Sequence, residues 1–495
     1  MDTARRPRRR HRALVRALLR LDDGPRLRGG AHRPRSRGQG RLTIATTALL
    51  RATLAAVIAA GSAVDCQEPV PPVAPPNILW IVSDDQRADT IGALGNATIE
   101  TPALDRLVAS GTTFSQAYCM GSTSGAVCAP SRYMLMTGRS LHRLSGNVFD
   151  IPRDEVTIAQ SLRQAGWHTF ASGKWHSGIA AFQRSFGAGG EIFFGGMGSH
   201  TALQVHDYHA DGKYPKEASH PLGAFSSTAF ADAAIEFIEE RGASEDGQPF
   251  LACVFFTAPH DPRTPPPAFA DMYPADEMPL PGNFLPEHPF DNGEMKIRDE
   301  KLAPWPRTPA EVRRHLAAYY GMISQMDHQV GKLLDALETS GLSGNTIVIF
   351  TSDHGLAVGS HGLLGKQNLY EHSTRVPLVI SGPGIGASES FDLPVYLHDL
   401  VPTVASIAGI QTPAAAEGRN LLAALGGETE NWRAGIYTSY KGIQRALRLG
   451  RWKLIRYPKS DVTQLFDLET DPDELAALSG DPAHAQVLVR LESMF

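Results

Sequence analysis

The chain is expected to fold as an α/β protein, with a large, mostly parallel sheet flanked by helices and a smaller C-terminal antiparallel sheet. Three features of the sequence say so. Short apolar runs rich in Ile, Val and Phe alternate with helical patterns, as strands buried on both faces do. Those runs stop abruptly at polar, chemically capable residues. After Gly426 the texture changes to short alternating segments with tight turns between them.

In chain order, residues 78–82 run into Ser83-Asp84-Asp85, and Thr101-Pro102 opens a helix through Ser110. Residues 157–165 are amphipathic, and 168–172 form a strand ending in Gly173-Lys174-Trp175-His176. A helix over 227–241 precedes a strand over 250–257 that ends at Ala258-Pro259-His260. Thr308-Pro309 opens a long helix that closes near Gly341, and the strand 346–351 runs into Ser352-Asp353-His354-Gly355. Residues 436–440, 445–449, 452–457 and 464–468 read as short antiparallel strands, followed by a terminal helix around 483–494. Ligands of such sheets bind at the carboxyl ends of the strands. The four polar clusters all sit there, so they are expected to converge on one site. The loops 183–222 and 261–308 are rich in Gly, Pro, His and Asp and are the segments expected to frame a pocket.

Composition and charge narrow the function classes. The 495 residues are 42% hydrophobic and 20% charged, which suits a globular enzyme. Residues 1–41 hold 14 Arg against 3 Asp and no Lys, a charge of +11, which leaves −16 on residues 42–495 of a chain whose net charge is −5. An acidic body argues against nucleic acid as a partner. The Arg-rich run, the apolar stretch 42–60 and the small residues Gly61-Ser62-Ala63 follow the order of an export signal with a long basic region. A periplasmic or secreted location follows. Asp65 before Cys66 fits a lipidation site poorly, and Pro69 to Pro76 read as a stiff linker. No other segment is apolar for long enough to span a membrane. The four cysteines (Cys66, Cys119, Cys128, Cys253) are too few for a disulfide scaffold and have no zinc spacing.

Asp84, Asp85 and Asp353, with His354 beside the last, gather carboxylates that repel one another unless a cation neutralises them. Oxygen-rich ligation favours Ca²⁺ or Mg²⁺ over zinc. Any one Asp-Asp pair by itself is more often a cap or a solvated turn. Lys174, His176, His260 and Lys366 could hold the oxygens of a sulfate or phosphate and protonate a leaving alcohol. Cys128-Ala129-Pro130-Ser131-Arg132, followed by Thr137-Gly138-Arg139, places Cys128 at a helix N-terminus, where an anionic oxygen is favoured. On the residues alone, Cys128 is equally a disulfide partner for Cys119 across a short loop.

Cys-x-Pro-Ser-Arg with a downstream Thr-Gly-Arg resembles the signature of type I sulfatases, of the alkaline-phosphatase-like superfamily, in which that Cys is oxidised to formylglycine. The resemblance runs from about Asn77 to the C-terminus, with its motifs in order. It implies one Ca²⁺ held by Asp84, Asp85, Asp353, His354 and the modified Cys128. It also implies that Arg132 supports the formylglycine and that Lys174, His176, His260 and Lys366 bind sulfate and handle protons. Ser199 and His200 are weaker candidates for a further sulfate contact. Gly450-Arg451-Trp452-Lys453-Leu454 and Leu465-Phe466-Asp467-Leu468 resemble the family's C-terminal strands. The domains implied are a leader over 1–76, a catalytic sulfatase domain over 77–429 and a smaller subdomain over 430–495. The partners implied are a sulfated small molecule or glycan and, during maturation, a formylglycine-generating enzyme. His354 stands where many members have Asn. It is similar to the iduronate-sulfatase and choline-sulfatase branches and to some phosphonate monoester hydrolases, so phosphate or phosphonate esters and choline sulfate remain alternative substrates. A carbohydrate-binding protein with a dead site is the competing reading of a different class. Every expected catalytic position is filled, which counts against it.

Overall fold

The computed structural model describes residues 75–495. The basic leader, the apolar stretch, Cys66 and most of the Pro-rich linker lie outside the described residues.

Eight strands form the main sheet: β1 (Asn77–Asp84), β2 (Gly111–Phe114), β3 (His168–Lys174), β4 (Ala188–Phe193), β5 (Phe250–Pro259), β6 (Thr346–Ser352), β7 (Leu378–Ser381) and β8 (Glu389–Phe391). Their spatial order is β8-β2-β7-β6-β1-β5-β3-β4. All pairings are parallel except the two made by β7, which runs antiparallel to both β6 and β2. The central strand β1 is buried along its whole length, and its side chains alternate between two cores. Ile78, Trp80 and Val82 enter one with Leu162, Trp175 and Val404; Leu79 and Ile81 enter the other with Leu104, Phe230 and Met322. A parallel sheet covered by helices on both faces needs that double burial, and each such side chain contributes about 1.5–3 kcal/mol.

The principal helices are α1 (Pro102–Ser110), α2 (Cys128–Thr137), α3 (Ile158–Gln164), α4 (Ser226–Ala243), α5 (Pro309–Thr339), α6 (Leu400–Ile407) and α7 (Ala485–Glu492). Their starts have local causes. The Thr157 hydroxyl accepts from the Gln160 N–H, and the Thr308 hydroxyl accepts from the Glu311 N–H with Pro309 in the first turn. Thr101 precedes α1 without making a side-chain cap. Its first amides are instead held by Asp327 of α5, which accepts from Ala103 and Leu104 at 3.0 and 2.8 Å.

The second sheet is built from β9 (Gly435–Tyr440), β10 (Gln444–Leu449), β11 (Trp452–Tyr457) and β12 (Val462–Asp467), antiparallel in sequence order. A fifth strand, Gly121–Ser122, lies parallel to β9 and comes from the segment just before Cys128. The C-terminal sheet is therefore anchored to the stretch that leads into α2. Among the described residues no helix is long and apolar enough to cross a membrane.

Candidate active site

The carboxyl ends of β1, β3, β5 and β6 open on one side of the sheet and bring their polar clusters together. Asp84 ends β1, and Asp85 follows with φ +68, a conformation costly for a residue with a Cβ. Two bonds hold it there: its N–H donates to Asp353 Oδ1 at 3.3 Å, and its carbonyl accepts from the Tyr319 hydroxyl at 2.6 Å. Cys128 is the first residue of α2, and its thiol lies 3.2 Å from Asp84 Oδ1 and 3.5 Å from Asp85 Oδ1. Arg132, one turn on, donates from Nε to Asp353 Oδ2 at 2.8 Å, reaches Asp84 Oδ2 at 3.3 Å and donates to the Lys174 carbonyl at 2.5 Å. The spacing from Cys128 to Arg132 is one helical turn, so both side chains face the same strand ends.

Lysines offset the carboxylates. Lys174, the last residue of β3, pairs directly with Asp84. Lys366 donates to both Asp85 oxygens at 2.8 and 2.6 Å and lies 3.0 Å from the Cys128 sulfur. His260, just beyond β5, has Nε2 3.6 Å from Asp85 Oδ2, while its Nδ1 faces the Asp261 carbonyl at 2.7 Å. Asp84, Asp85, Cys128 and His260 each present a ligand-type atom within 4.8 Å of the others, a donor set able to hold a metal ion. Asp353 and His354 lie outside that set of four. Both Asp353 oxygens accept from protein donors, and His354 turns Nδ1 to the Gly355 carbonyl at 3.0 Å.

Burial governs the protonation states. It outweighs the Lys366 ion pair at Asp85 and, with repulsion from Asp84 and Asp353, pushes that carboxyl up to about 8. Asp84 feels the same burial, but Lys174, His260, Arg132 and Lys366 hold it far below the usual carboxylate range. Burial, reinforced by Asp353, Asp84 and Asp85, drives the Cys128 thiol well above its ordinary value. His260 and His176 fall to about 3, through burial first and then Lys366 for the one and Lys174 for the other. His176 takes φ +55, and its Nδ1 is buried without a hydrogen-bond partner.

A cavity of about 450 Å³ lies over this cluster, lined among others by Cys128, Lys174, His176, His260 and Lys366. A larger hollow of about 540 Å³, around Asp89, Asp105 and Arg375, contains none of these residues, and chemistry rather than size selects the first. Both long loops contribute to its wall, with Gly196 and Met197 from one and Ile297, Arg298 and Asp299 from the other. The last two, with Asp261 and Gln367, are groups that sequence reasoning did not single out. Ser199 is exposed and bonded to Thr201. The His200 ring is buried, with Nε2 2.9 Å from the His260 carbonyl and Nδ1 2.8 Å from the Ser226 hydroxyl, so it props His260 from behind. Cys119, Cys128 and Cys253 are all free thiols. The Cys119–Cys128 disulfide that the sequence left open is not formed; the Cys119 thiol instead reaches the Thr374 carbonyl at 3.4 Å.

A mostly parallel sheet whose strand ends gather carboxylates, lysines, histidines and a helix-borne Cys suits a hydrolase that takes anionic esters. The family comparison is specific. The sulfatase model matches residues 76–410, and the model described as N-sulphoglucosamine sulphohydrolase, C-terminal, matches 359–495. The chain belongs to the sulfatase family and is a sulfuric ester hydrolase. It is 30% identical to an arylsulfatase of Clostridium perfringens over 442 residues, covering 81% of this chain and 90% of the relative. It is 25% identical over 485 residues to an N-acetylglucosamine-6-O-sulfatase of Bacteroides thetaiotaomicron, covering 83% and 84% of the two chains. A structure solved in complex with its substrate D-glucosamine-2-N,6-O-disulfate superposes with a TM-score of 0.70 at 23% identity, over 85% of this chain and 96% of that one.

Proposed function

We propose that the enzyme hydrolyses sulfate monoesters of a carbohydrate through a formylglycine hydrate made from Cys128. We assign one calcium to Asp84, Asp85, Asp353, His354 and the modified Cys128. One observation carries this reading. The Cys128 thiol is buried between two carboxylates and held neutral well above its ordinary pKa, so as a cysteine it makes a poor nucleophile. Conversion to formylglycine would supply one hydroxyl to attack sulfur and a second to release sulfate. The Asp84 and Asp85 carboxylates beside Cys128, with Asp85 pushed up by burial first and then by Asp84 and Asp353, suit a hard divalent cation, which would supply positive charge beside the nucleophile; Asp353 and His354 enter the set through the family resemblance.

The remaining work falls to the chain's own side chains. Arg132 ties Asp353 and Asp84 to the end of β3 and keeps the strand ends in register. Lys174 and Lys366 line the cavity and present ammonium groups to sulfate oxygens. His260 and His176 are neutral in the free site. An arriving anion favours their charged forms and lets one of them deliver a proton to the leaving alkoxide. The sugar substrate is supported by the similarity to the N-acetylglucosamine-6-O-sulfatase of Bacteroides thetaiotaomicron and by the match to the N-sulphoglucosamine sulphohydrolase C-terminal model. Within this reading residues 77–429 are the catalytic body, 430–495 a smaller subdomain and 1–76 an export leader. Maturation by a formylglycine-generating enzyme precedes action in the periplasm or outside the cell.

The test is the mass of the peptide that contains Cys128, taken from protein co-expressed with that enzyme, together with turnover of matched aryl sulfate and aryl phosphate. A peptide lighter than the cysteine form and reactive toward carbonyl reagents is expected, with sulfate strongly preferred. Cys128→Ala should remove turnover, and chelation should abolish activity that calcium restores. An unmodified thiol in a fully active preparation overturns the mechanism, and a preference for phosphate overturns the substrate class.

A further inference from the structure

The cavity continues outward from the Lys174 and Lys366 ammonium groups to a wall made by Phe149, Met197, Ile297, Arg298, Asp299 and Gln367. Any leaving group must lie against this wall, and its charge can be read from its contacts. The Arg298 guanidinium is clamped between two carboxylates. It pairs with both oxygens of Asp261, one of them from Nη2 at 3.1 Å, and reaches Asp299 Oδ1 from Nη2 at 2.5 Å. Asp299 turns its other oxygen to the Gln367 amide at 3.0 Å. Both carboxylates are 7% exposed and Arg298 is 43% exposed, so the cation faces the opening with its charge already matched behind it. Lys441, behind the cavity-lining Gly125, is paired with Glu294.

We propose that the Arg298–Asp261–Asp299 triad makes the outer end of this cavity a subsite for a neutral, hydroxylated leaving group and turns away leaving groups that carry a second anion. The proposal rests on the sulfatase reading above and adds the charge class of the substrate. One guanidinium between two carboxylates leaves a net charge of −1. A second sulfate or carboxylate that turned to Arg298 would also meet the Asp261 and Asp299 carboxylates that already neutralise it, and their repulsion offsets the new pair. Hydroxyls carry no such conflict, since they donate to Asp299 and accept from Arg298 without changing the charge. Phe149 and Met197, 41% and 45% exposed, give an apolar surface at the mouth for the apolar face of a sugar ring. A quaternary ammonium group would need a cage of rings, and the cavity offers two, Phe149 and His176 with centroids 5.4 Å apart, with a guanidinium nearby.

The experiment uses three aryl sulfates that differ at one ring position, which bears a methyl ester, a carboxylate or a trimethylammonium group. With the mature enzyme, kcat/KM for the carboxylate is expected to fall about three- to tenfold below that for the methyl ester, and the gap should narrow as salt rises. Asp299→Asn removes one negative charge and should narrow the gap about threefold. Arg298→Gln leaves two carboxylates uncovered and should widen it. Comparing the ratio of two substrates within each variant cancels their intrinsic reactivity. Opposite shifts in two variants, each checked for an unchanged melting profile, are not what a general packing defect produces. A carboxylate ester used as well as the neutral one, with a ratio unmoved by either substitution, overturns the proposal. So does a trimethylammonium substrate that is turned over more slowly than the carboxylate one, because a wall of net charge −1 cannot favour an anion over a cation. If none of the three sulfates turns over while the matched aryl phosphates do, the sulfatase reading fails first and this inference falls with it.

Discussion

Gly196 comes closer to the His176 ring than a larger residue could. A Cβ at this position would lie 2.8 Å from Nε2 and 2.9 Å from Cε1 of the imidazole. The cost of Gly196→Ala should therefore appear at the ring rather than in the fold. If His176 delivers protons, kcat on an alkyl or sugar sulfate should drop about tenfold or more, with a smaller loss on an activated aryl sulfate whose phenolate needs no proton. Equal losses on both substrates would make His176 a binding group only. The reach of sequence reading was uneven at this scale. Cys128, Arg132, Asp84, Asp85, Lys174 and Asp353 were legible because they stand at strand ends or at fixed helical spacing from one another, and Lys366 through the family resemblance alone. The structure does bring their side chains to one cluster. Arg298, Asp261 and Asp299 were not. They lie in a loop without periodicity, and Arg298 matters through an ion pair to a residue 37 positions away. His200 shows the same limit from the other side: its loop pointed toward the sulfate, yet the ring packs beneath the His260 backbone.

Helix α2 carries Cys128 at its first residue, and every one of its ten residues is buried. A helix with no solvent face depends on its ends for direction, and the C-terminal end is set by Gly138. That residue has φ +73, and its N–H closes on the Met134 carbonyl at 2.8 Å. A Cβ there would lie 2.6 Å from that of Ala416 and 3.0 Å from Val401 on α6. Gly138→Ala combines left-handed strain with a clash against packed side chains and should destabilise by about 2 kcal/mol or more, read as a lowered denaturation midpoint. An unchanged midpoint would mean that α6 yields without cost. Long elements such as β1, β5, β6 and α5 were readable from periodicity and agree with the structure to within a few residues at their ends. The strands β2, β4 and β7 were not read. They are short or Gly-rich, and their pairing is imposed by tertiary neighbours; β7 even inserts antiparallel between β6 and β2. The two-residue strand Gly121–Ser122 carries no pattern at all, although it joins the second sheet to the approach to α2.

Across the whole molecule the two sheets meet over a buried polar layer. Lys453 of β11 donates to Glu371 at 2.9 Å and pairs with Glu474 at 2.8 Å. Beside it His361 stacks on Tyr370 at 3.8 Å, with His372 3.2 Å away across the ring nitrogens. His288 completes the layer through Nδ1, 2.9 Å from the His361 carbonyl. Nothing in the local sequence announced this layer, because His288 comes from one loop and His361, Tyr370 and His372 from a distant segment, and the two meet only in the fold. Its consequence is a dependence of stability on pH. Burial holds His288 down at about 4, and burial also holds His361 at about 4 and His372 well below 6.5. A histidine whose folded pKa is depressed contributes stability that is fully present above its unfolded value near 6.5. That contribution is lost as pH falls toward the folded value, at about 1.4 kcal/mol per pH unit for each ring. Glu474, pushed up to about 7 by burial, acts with the opposite sign over much of the same range, so the net slope of the wild type does not isolate the histidines. A single replacement does. The carbonyl of His361 can only accept, so His288 carries its hydrogen on Nδ1, and His288→Asn keeps a donor there while removing the titration. At pH 8 the variant should be less stable than the wild type. Between pH 6.5 and 5 the wild type should lose about 2 kcal/mol more than the variant, so the two curves converge. Urea midpoints at pH 8, 6 and 5, with the denaturant slope checked for constancy, measure this; curves that stay parallel would show that His288 keeps an ordinary pKa in the folded protein.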